Sequence, residues 1–205
     1  MSIELKISQQ KGIANEVLDK IHKKYPLAFV AGGAPRDWYM DKPANDIDVY
    51  IPSLDEAVKM KNTLVELKLL EDDQKSLQHT KKNLEDRGVD YNMVGIKDVF
   101  AIEELNTPIQ LITGDLETPY EIVQKFSATI SMFLWVNGGL IPTFEALYSI
   151  KSCIIGHQPA AVGYISKMKK RYPEFEFVGF EDFHQRVFKN LTDNQVMGIM
   201  KEVLL

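Results

Sequence analysis

The strongest constraint on the fold lies between residues 27 and 52. Leu27-Ala28-Phe29-Val30 is a short apolar run that stops at Gly32-Gly33, and Pro35 follows at a position suited to the first turn of a helix. Asp46-Ile47-Asp48-Val49-Tyr50-Ile51 then alternates polar and apolar up to Pro52. The pattern predicts a buried strand, a tight turn, a helix carrying Arg36 to Met40 and a second strand. A Gly-Gly turn feeding a helix exposes backbone N–H groups with no side chain in the way, and the helix end adds partial positive charge. Together they make a phosphate cradle. Arg36, one turn further on, can offer a charged fork to phosphate oxygens. Asp46 and Asp48 are two apart on the expected strand, so both carboxylates leave the same face. Two hard oxygen donors suit Mg²⁺, which shares its remaining positions with water and substrate phosphates. A lone Asp-x-Asp or a lone Gly-Gly turn is commonplace, whereas the two in this order are not.

Around this segment the chain reads as mixed helix and strand. Ile13, Val17 and Ile21 mark a first amphipathic helix that ends near Tyr25-Pro26. Ser53 is placed to cap the helix after the second strand, with Glu56 completing a capping box, and that helix runs to about Leu70. Residues 71–95 are polar and give no clear pattern. Lys97 to Glu104 and Pro108 to Thr113 read as two strands joined by Asn106-Thr107, and Thr118-Pro119 opens a long helix through Trp135 that Asn137-Gly138-Gly139 terminates. Phe144 to Ile155 fits helix or strand. Helices are expected around 160–172, 182–190 and 193–204. A boundary near 137–142 would divide an α/β half from a mostly helical half, giving a catalytic domain over 1–138 and a C-terminal region over 139–205.

Composition bounds the function. The chain has 205 residues, 45% hydrophobic and 26% charged, with nothing of low complexity. The N-terminus lacks a signal-peptide layout and no apolar run is long enough to span a bilayer, so a cytoplasmic protein without a membrane partner is expected. Cys153 is the sole cysteine, which excludes an intramolecular disulfide, and beside Ile154-Ile155 it reads as a small core residue. A net charge of −5 argues against bulk, sequence-independent nucleic-acid binding. Lys167, Lys169, Lys170 and Arg171 form one local basic run, which taken alone reads as a solvated helix face. Tyr172, Phe175, Phe177, Phe180 and Phe183 read as core of the helical half, and the four histidines show no metal-ligand spacing.

Gly32-Gly33-x-x-Arg36-Asp37 followed by Asn45-Asp46-Ile47-Asp48 resembles the head domain of the DNA polymerase β-type nucleotidyltransferase superfamily. It is most similar to the branch of tRNA CCA-adding enzymes and bacterial poly(A) polymerases, with Pro35 where that branch has Val. The resemblance covers about residues 27–52. It implies an α+β fold, a mixed β-sheet with flanking helices followed by a small helical C-terminal region. It also implies that Asp46 and Asp48 bind Mg²⁺ or Mn²⁺ as the catalytic residues, while Gly32, Gly33 and Arg36 bind the nucleotide. The implied activity is transfer of an NMP from an NTP to a hydroxyl acceptor, either an RNA 3′ end (tRNA-like) or a protein or small molecule. The departures are specific. The superfamily's third acid falls on the strand Pro108–Ile112, where Gln110 stands, and a neutral amide cannot take a proton as a carboxylate can. Ser127 replaces the acid of a second motif, matched by Phe126-Ser127-Ala128-Thr129-Ile130-Ser131, and Glu103, Glu104 and Asp115 are the nearby carboxylates. No base-templating motif follows, and a nucleotide-binding module without catalysis is the competing expectation.

Overall fold

The computed structural model describes residues 2–53, 55, 57–73, 96–102, 107–114, 118–159 and 162–190. Helix α1 (Ile3–His22) starts at Ser2, whose hydroxyl accepts the Leu5 N–H at 3.3 Å, and buries Ile7, Gln10, Ala14, Val17, Leu18 and Ile21 along one stripe. Strand β1 (Phe29–Ala31), helix α2 (Gly33–Tyr39) and strand β2 (Ile47–Pro52) follow in the order that the glycine turn and the alternation predict. Helix α3 (Ala57–Glu66) leads away from β2, and β3 (Ile96–Ile102) and β4 (Ile109–Gly114) return to the sheet. Helix α4 (Pro119–Gln124), a 3₁₀ turn (Thr129–Ser131) and the hairpin β5 (Phe133–Val136) and β6 (Gly139–Pro142) complete that layer. Helix α5 (Phe144–Ser152), β7 (Ile154–His157), helix α6 (Val162–Arg171), β8 (Glu176–Gly179) and helix α7 (Phe180–Asn190) form the rest.

The main sheet has six strands in the order β3-β4-β2-β1-β5-β6, mixed because β2 and β4 run parallel while the other pairs are antiparallel. Period-two alternation splits β2 between two cores. Ile47, Val49 and Ile51 face the cluster built with α1, α3, Val30 and Leu111. Tyr50 faces the opposite cluster with Phe29, Ile112 and Phe133, and its ring stacks on Phe29 at 5.4 Å. Asp46 and Asp48 share the Tyr50 side of the strand. The fold is therefore the expected α+β arrangement with a mixed sheet.

Several local expectations need correction. The segment 118–135 is not one long helix: the capping box of Thr118 and Glu121 starts a helix that ends at Gln124, and β5 follows. Asn137 (φ 50°) and Gly138 (φ 78°) form the turn of the β5–β6 hairpin instead of a helix stop, because Asn-Gly adopts the left-handed pair that a two-residue hairpin requires. The expected boundary at 138/139 falls in the turn of this hairpin. The C-terminal region carries a parallel two-stranded sheet of β7 and β8 besides its helices. Cys153 is exposed, not core: at φ 54° it is the left-handed cap of α5. The expected capping residue Glu56, the segment 74–95 and the helix at 193–204 lie outside the described residues. Among the described residues no helix is long and apolar enough to cross a membrane.

Candidate active site

The glycine turn is shaped by Gly32, with φ 87° and ψ −124°, a conformation that an L side chain rarely adopts. Its N–H is already donated to the Phe133 carbonyl at 3.1 Å, so Gly32 contributes the turn and not a free donor. No side chain caps α2, and Pro35 has no N–H, which leaves the donors at its start to Gly33 and Ala34. Arg36 does not extend toward solvent. It is 3% exposed, donating from Nε to Asp37 at 2.9 Å and from Nη1 to the Ser131 hydroxyl at 3.0 Å. Its Nη2 lies under Gly33, 3.6 Å from where a Cβ would stand, so the guanidinium forms a charged floor beneath the cradle.

Asp46 is exposed just before β2, and Asp48 is half-buried one pleat further in. Gln10 fixes the approach to this pair. Its Oε1 accepts the Ala44 N–H at 2.9 Å and Trp38 Nε1–H at 3.1 Å, while its Nε2 donates to the Ala44 carbonyl at 2.8 Å and to Thr107 Oγ1 at 3.1 Å. Every capacity of that buried amide is used, and the chain just ahead of Asp46 is pinned. The Asp48 carboxyl is pushed up to about 7, first by burial and then by the negative charge of Asp46, with Lys167 pulling the other way. Asp48 is thus a carboxyl whose charged form is disfavoured chiefly by burial, with a second carboxylate beside it and little positive charge to offset them. That state fits a divalent cation, which would be held by Asp46 and Asp48. Among the described residues no group of three or more His, Cys, Asp or Glu could enclose a metal, and Mg²⁺ needs only one or two carboxylates when phosphates complete its shell.

The parallel register sets Gln110 beside Asp48 on the same face of the sheet. Thr129 is fully buried, paired with the Ser149 hydroxyl at 2.6 Å and accepting the Gly156 N–H at 2.9 Å, so it ties the 3₁₀ turn to α5 and β7. Glu103, Glu104 and Asp115 lie outside the described residues. Phe126 packs beneath Gly32 and against Tyr50, with ring centroids 6.0 Å apart, and joins the glycine turn to the strand of the aspartates.

Lys167, Lys169 and Lys170 of α6 are exposed, the solvated helix face expected of this run. Asn45, Gly163, Ser166, Lys167, Lys170 and Arg171 line a cleft of about 540 Å³ beside Asp46. Their helical spacing puts the five α6 residues on one face. Lys169 points elsewhere, over the Phe177 ring at 5.6 Å. Two polar contacts latch α6 to α2: Arg171 Nη2 to Asp37 Oδ2 at 2.7 Å, and Tyr164 Oη to the Ser131 hydroxyl that Arg36 also holds, at 2.7 Å. Tyr172 lies between the two helices, its ring centroid 5.6 Å from the Arg36 guanidinium, 5.6 Å from Lys42 Nζ and 5.9 Å from the Arg171 guanidinium.

A mixed sheet carrying a glycine turn and an Asp-x-Asp strand side by side is the arrangement of nucleotidyltransferase folds, and comparison with solved structures shows that fold. The Thermotoga maritima CCA-adding enzyme complexed with tRNA matches with a TM-score of 0.53 at 16% identity, over 84% of this chain and 41% of that one. A CCA-adding enzyme in complex with CTP matches with a TM-score of 0.54 at 16% identity, over 92% of this chain and 46% of that one. A complex of CCA-adding enzyme with ATP gives 0.52 at 15% identity, over 92% and 45%. The chain thus spans less than half the length of these enzymes. No curated protein matches it in sequence. The model of the Gabija anti-defense 2 family matches residues 5–140, from α1 through the β5–β6 hairpin, and the chain belongs to that family.

Proposed function

We propose that this chain is a divalent-metal-dependent nucleotidyltransferase that moves an NMP from an NTP to a hydroxyl acceptor and releases pyrophosphate. The observation that carries the reading is that Asp46, just before β2, and Asp48, within it, lie two apart on the segment paired with β1, whose end leads through Gly32 into the uncapped start of α2. Gly33 and Ala34 offer N–H donors to the triphosphate, and Arg36 supplies charge from beneath. Asp46 and Asp48 would hold Mg²⁺ or Mn²⁺. When bound, that cation neutralises phosphate charge and lowers the pKa of a hydroxyl near it. The acceptor oxygen forms a bond to the α-phosphorus as the bond to the pyrophosphate oxygen breaks, and the hydroxyl proton passes to a carboxylate of the pair or to water. Gln110 can orient a neighbouring group by hydrogen bonding but takes up no proton.

Membership of the Gabija anti-defense 2 family supports a role against the Gabija defence. The CCA-adding neighbours support an RNA 3′ end as the alternative acceptor. Pyrophosphate release from each of the four NTPs, in the presence of Mg²⁺ and extract from a host carrying the Gabija defence, tests the reaction. Release is expected with the unaltered chain and lost with Asp46→Ala. Release that is unaffected by Asp46→Ala contradicts the proposal.

A further inference from the structure

Two places suited to phosphate flank the aspartate pair, and nucleotidyl transfer to a plain protein hydroxyl would require only one. The first is the start of α2. The second is the α6 cleft, where Lys167, Lys170 and Arg171 converge with Asn45 and the Ser166 hydroxyl, and where no carboxylate is among the described lining residues. Three cations on one wall, in a chain of net charge −5, form a local feature against the overall sign. The two places are separated along α2. The cradle is at Gly33, whereas Arg171 reaches Asp37 a turn later and Asn45 lies past the end of the helix. The Asp37 contact uses one nitrogen of Arg171, and a guanidinium has further N–H donors to offer. Asn45 in the cleft lining directly precedes Asp46, so the wall leads up to the aspartate pair and not to a remote surface.

We infer that the α6 cleft binds phosphate groups of the acceptor, so that the acceptor is itself phosphate-bearing: a nucleic-acid strand or a nucleotide. This rests on the nucleotidyltransferase reading and adds to it the class of acceptor. The structural latch fits the assignment, because Asp37–Arg171 and Ser131–Tyr164 hold the basic face at a fixed distance from α2, as two phosphate sites acting on one reaction require.

Fluorescence anisotropy with a labelled single-stranded RNA decanucleotide, alongside binding of a fluorescent ATP analogue with Mg²⁺, tests the inference. Lys170→Glu reverses a charge inside the cleft, and Lys169→Glu makes the same change on the neighbouring residue outside it. The expected result is decanucleotide binding weakened about tenfold by Lys170→Glu, with a salt slope shallower by about one, and a far smaller effect of Lys169→Glu. ATP-analogue binding should stay within about twofold in both variants, since its phosphates rest on the α2 cradle. Displacement of the decanucleotide by AMP would identify a nucleotide acceptor, and resistance to AMP a strand; either supports the inference. Equal weakening by the two variants overturns it, as does equal binding of an oligoglutamate decapeptide. If Lys170→Glu weakens the ATP analogue as much as the RNA, the cleft belongs to the donor and the assignment to the acceptor fails. Absence of any Mg²⁺-dependent ATP binding would instead remove the nucleotidyltransferase reading beneath it.

Discussion

Asp48 is the residue whose surroundings and chemistry are most directly coupled. Burial and then Asp46 raise its carboxyl to about 7, well above the value near 4 of an unfolded chain. A carboxyl raised on folding contributes stability below the unfolded value and loses it as pH rises through the folded one. In EDTA, therefore, the melting temperature of the unaltered chain should fall between pH 5 and pH 8, and the fall should be shallower in Asp48→Asn. Mg²⁺ at pH 8 should restore stability to the unaltered chain and do little for the variant. A melting temperature indifferent to pH and Mg²⁺ in both proteins contradicts this account of the pair. At Gly32 the backbone sets the limit: φ 87° makes Gly32→Ala cost about 1–3 kcal/mol in a urea titration, although an added Cβ would meet the Phe126 ring at an ordinary 3.6 Å. The Gly-Gly and Asp-x-Asp signals were legible because each is a local rule of backbone freedom or alternation. The tasks of Gln10 and Asp37 were not, since both depend on contacts from distant parts of the chain: Gln10 with Ala44 and Thr107, Asp37 with Arg171.

At the level of elements, the join between α2 and α6 is the most exposed to mutation. Asp37 is buried between Arg36 and Arg171, so Asp37→Ala leaves Arg36 as a buried charge without its carboxylate. A loss of about 3–5 kcal/mol is expected by urea denaturation. Gln10→Leu leaves the buried N–H and carbonyl of Ala44 and the Trp38 indole N–H without partners, at a cost of about 2 kcal/mol or more, and should weaken Mn²⁺ binding measured by electron paramagnetic resonance. Strands β1 and β2, helix α2 and the β3–β4 pair could be read from apolar runs and turn residues. The hairpin β5–β6 could not: Phe133-Leu134-Trp135-Val136 is apolar throughout and carries no period to distinguish strand from helix, and Asn-Gly serves either as a helix end or as a hairpin turn. The β7–β8 pair escaped for a related reason, since two four-residue strands separated by a helix leave little pattern to find.

For the whole molecule, the floor and the wall of the proposed site come from different parts of the chain. The cradle and the aspartates sit within one contiguous segment, whereas Lys167, Lys170 and Arg171 reach Asn45 only through the packing of the C-terminal region on α2. The cradle and the basic wall both bear on the proposal that the chain transfers nucleotides. The most direct test compares ATP labelled at the α-phosphate with ATP labelled at the γ-phosphate, each incubated with the protein, Mg²⁺ and extract from a host carrying the Gabija defence. The account predicts stable label on an acceptor from the α position alone, abolished by Asp46→Ala. Transfer of the γ label, or α label that persists in Asp46→Ala, would contradict it.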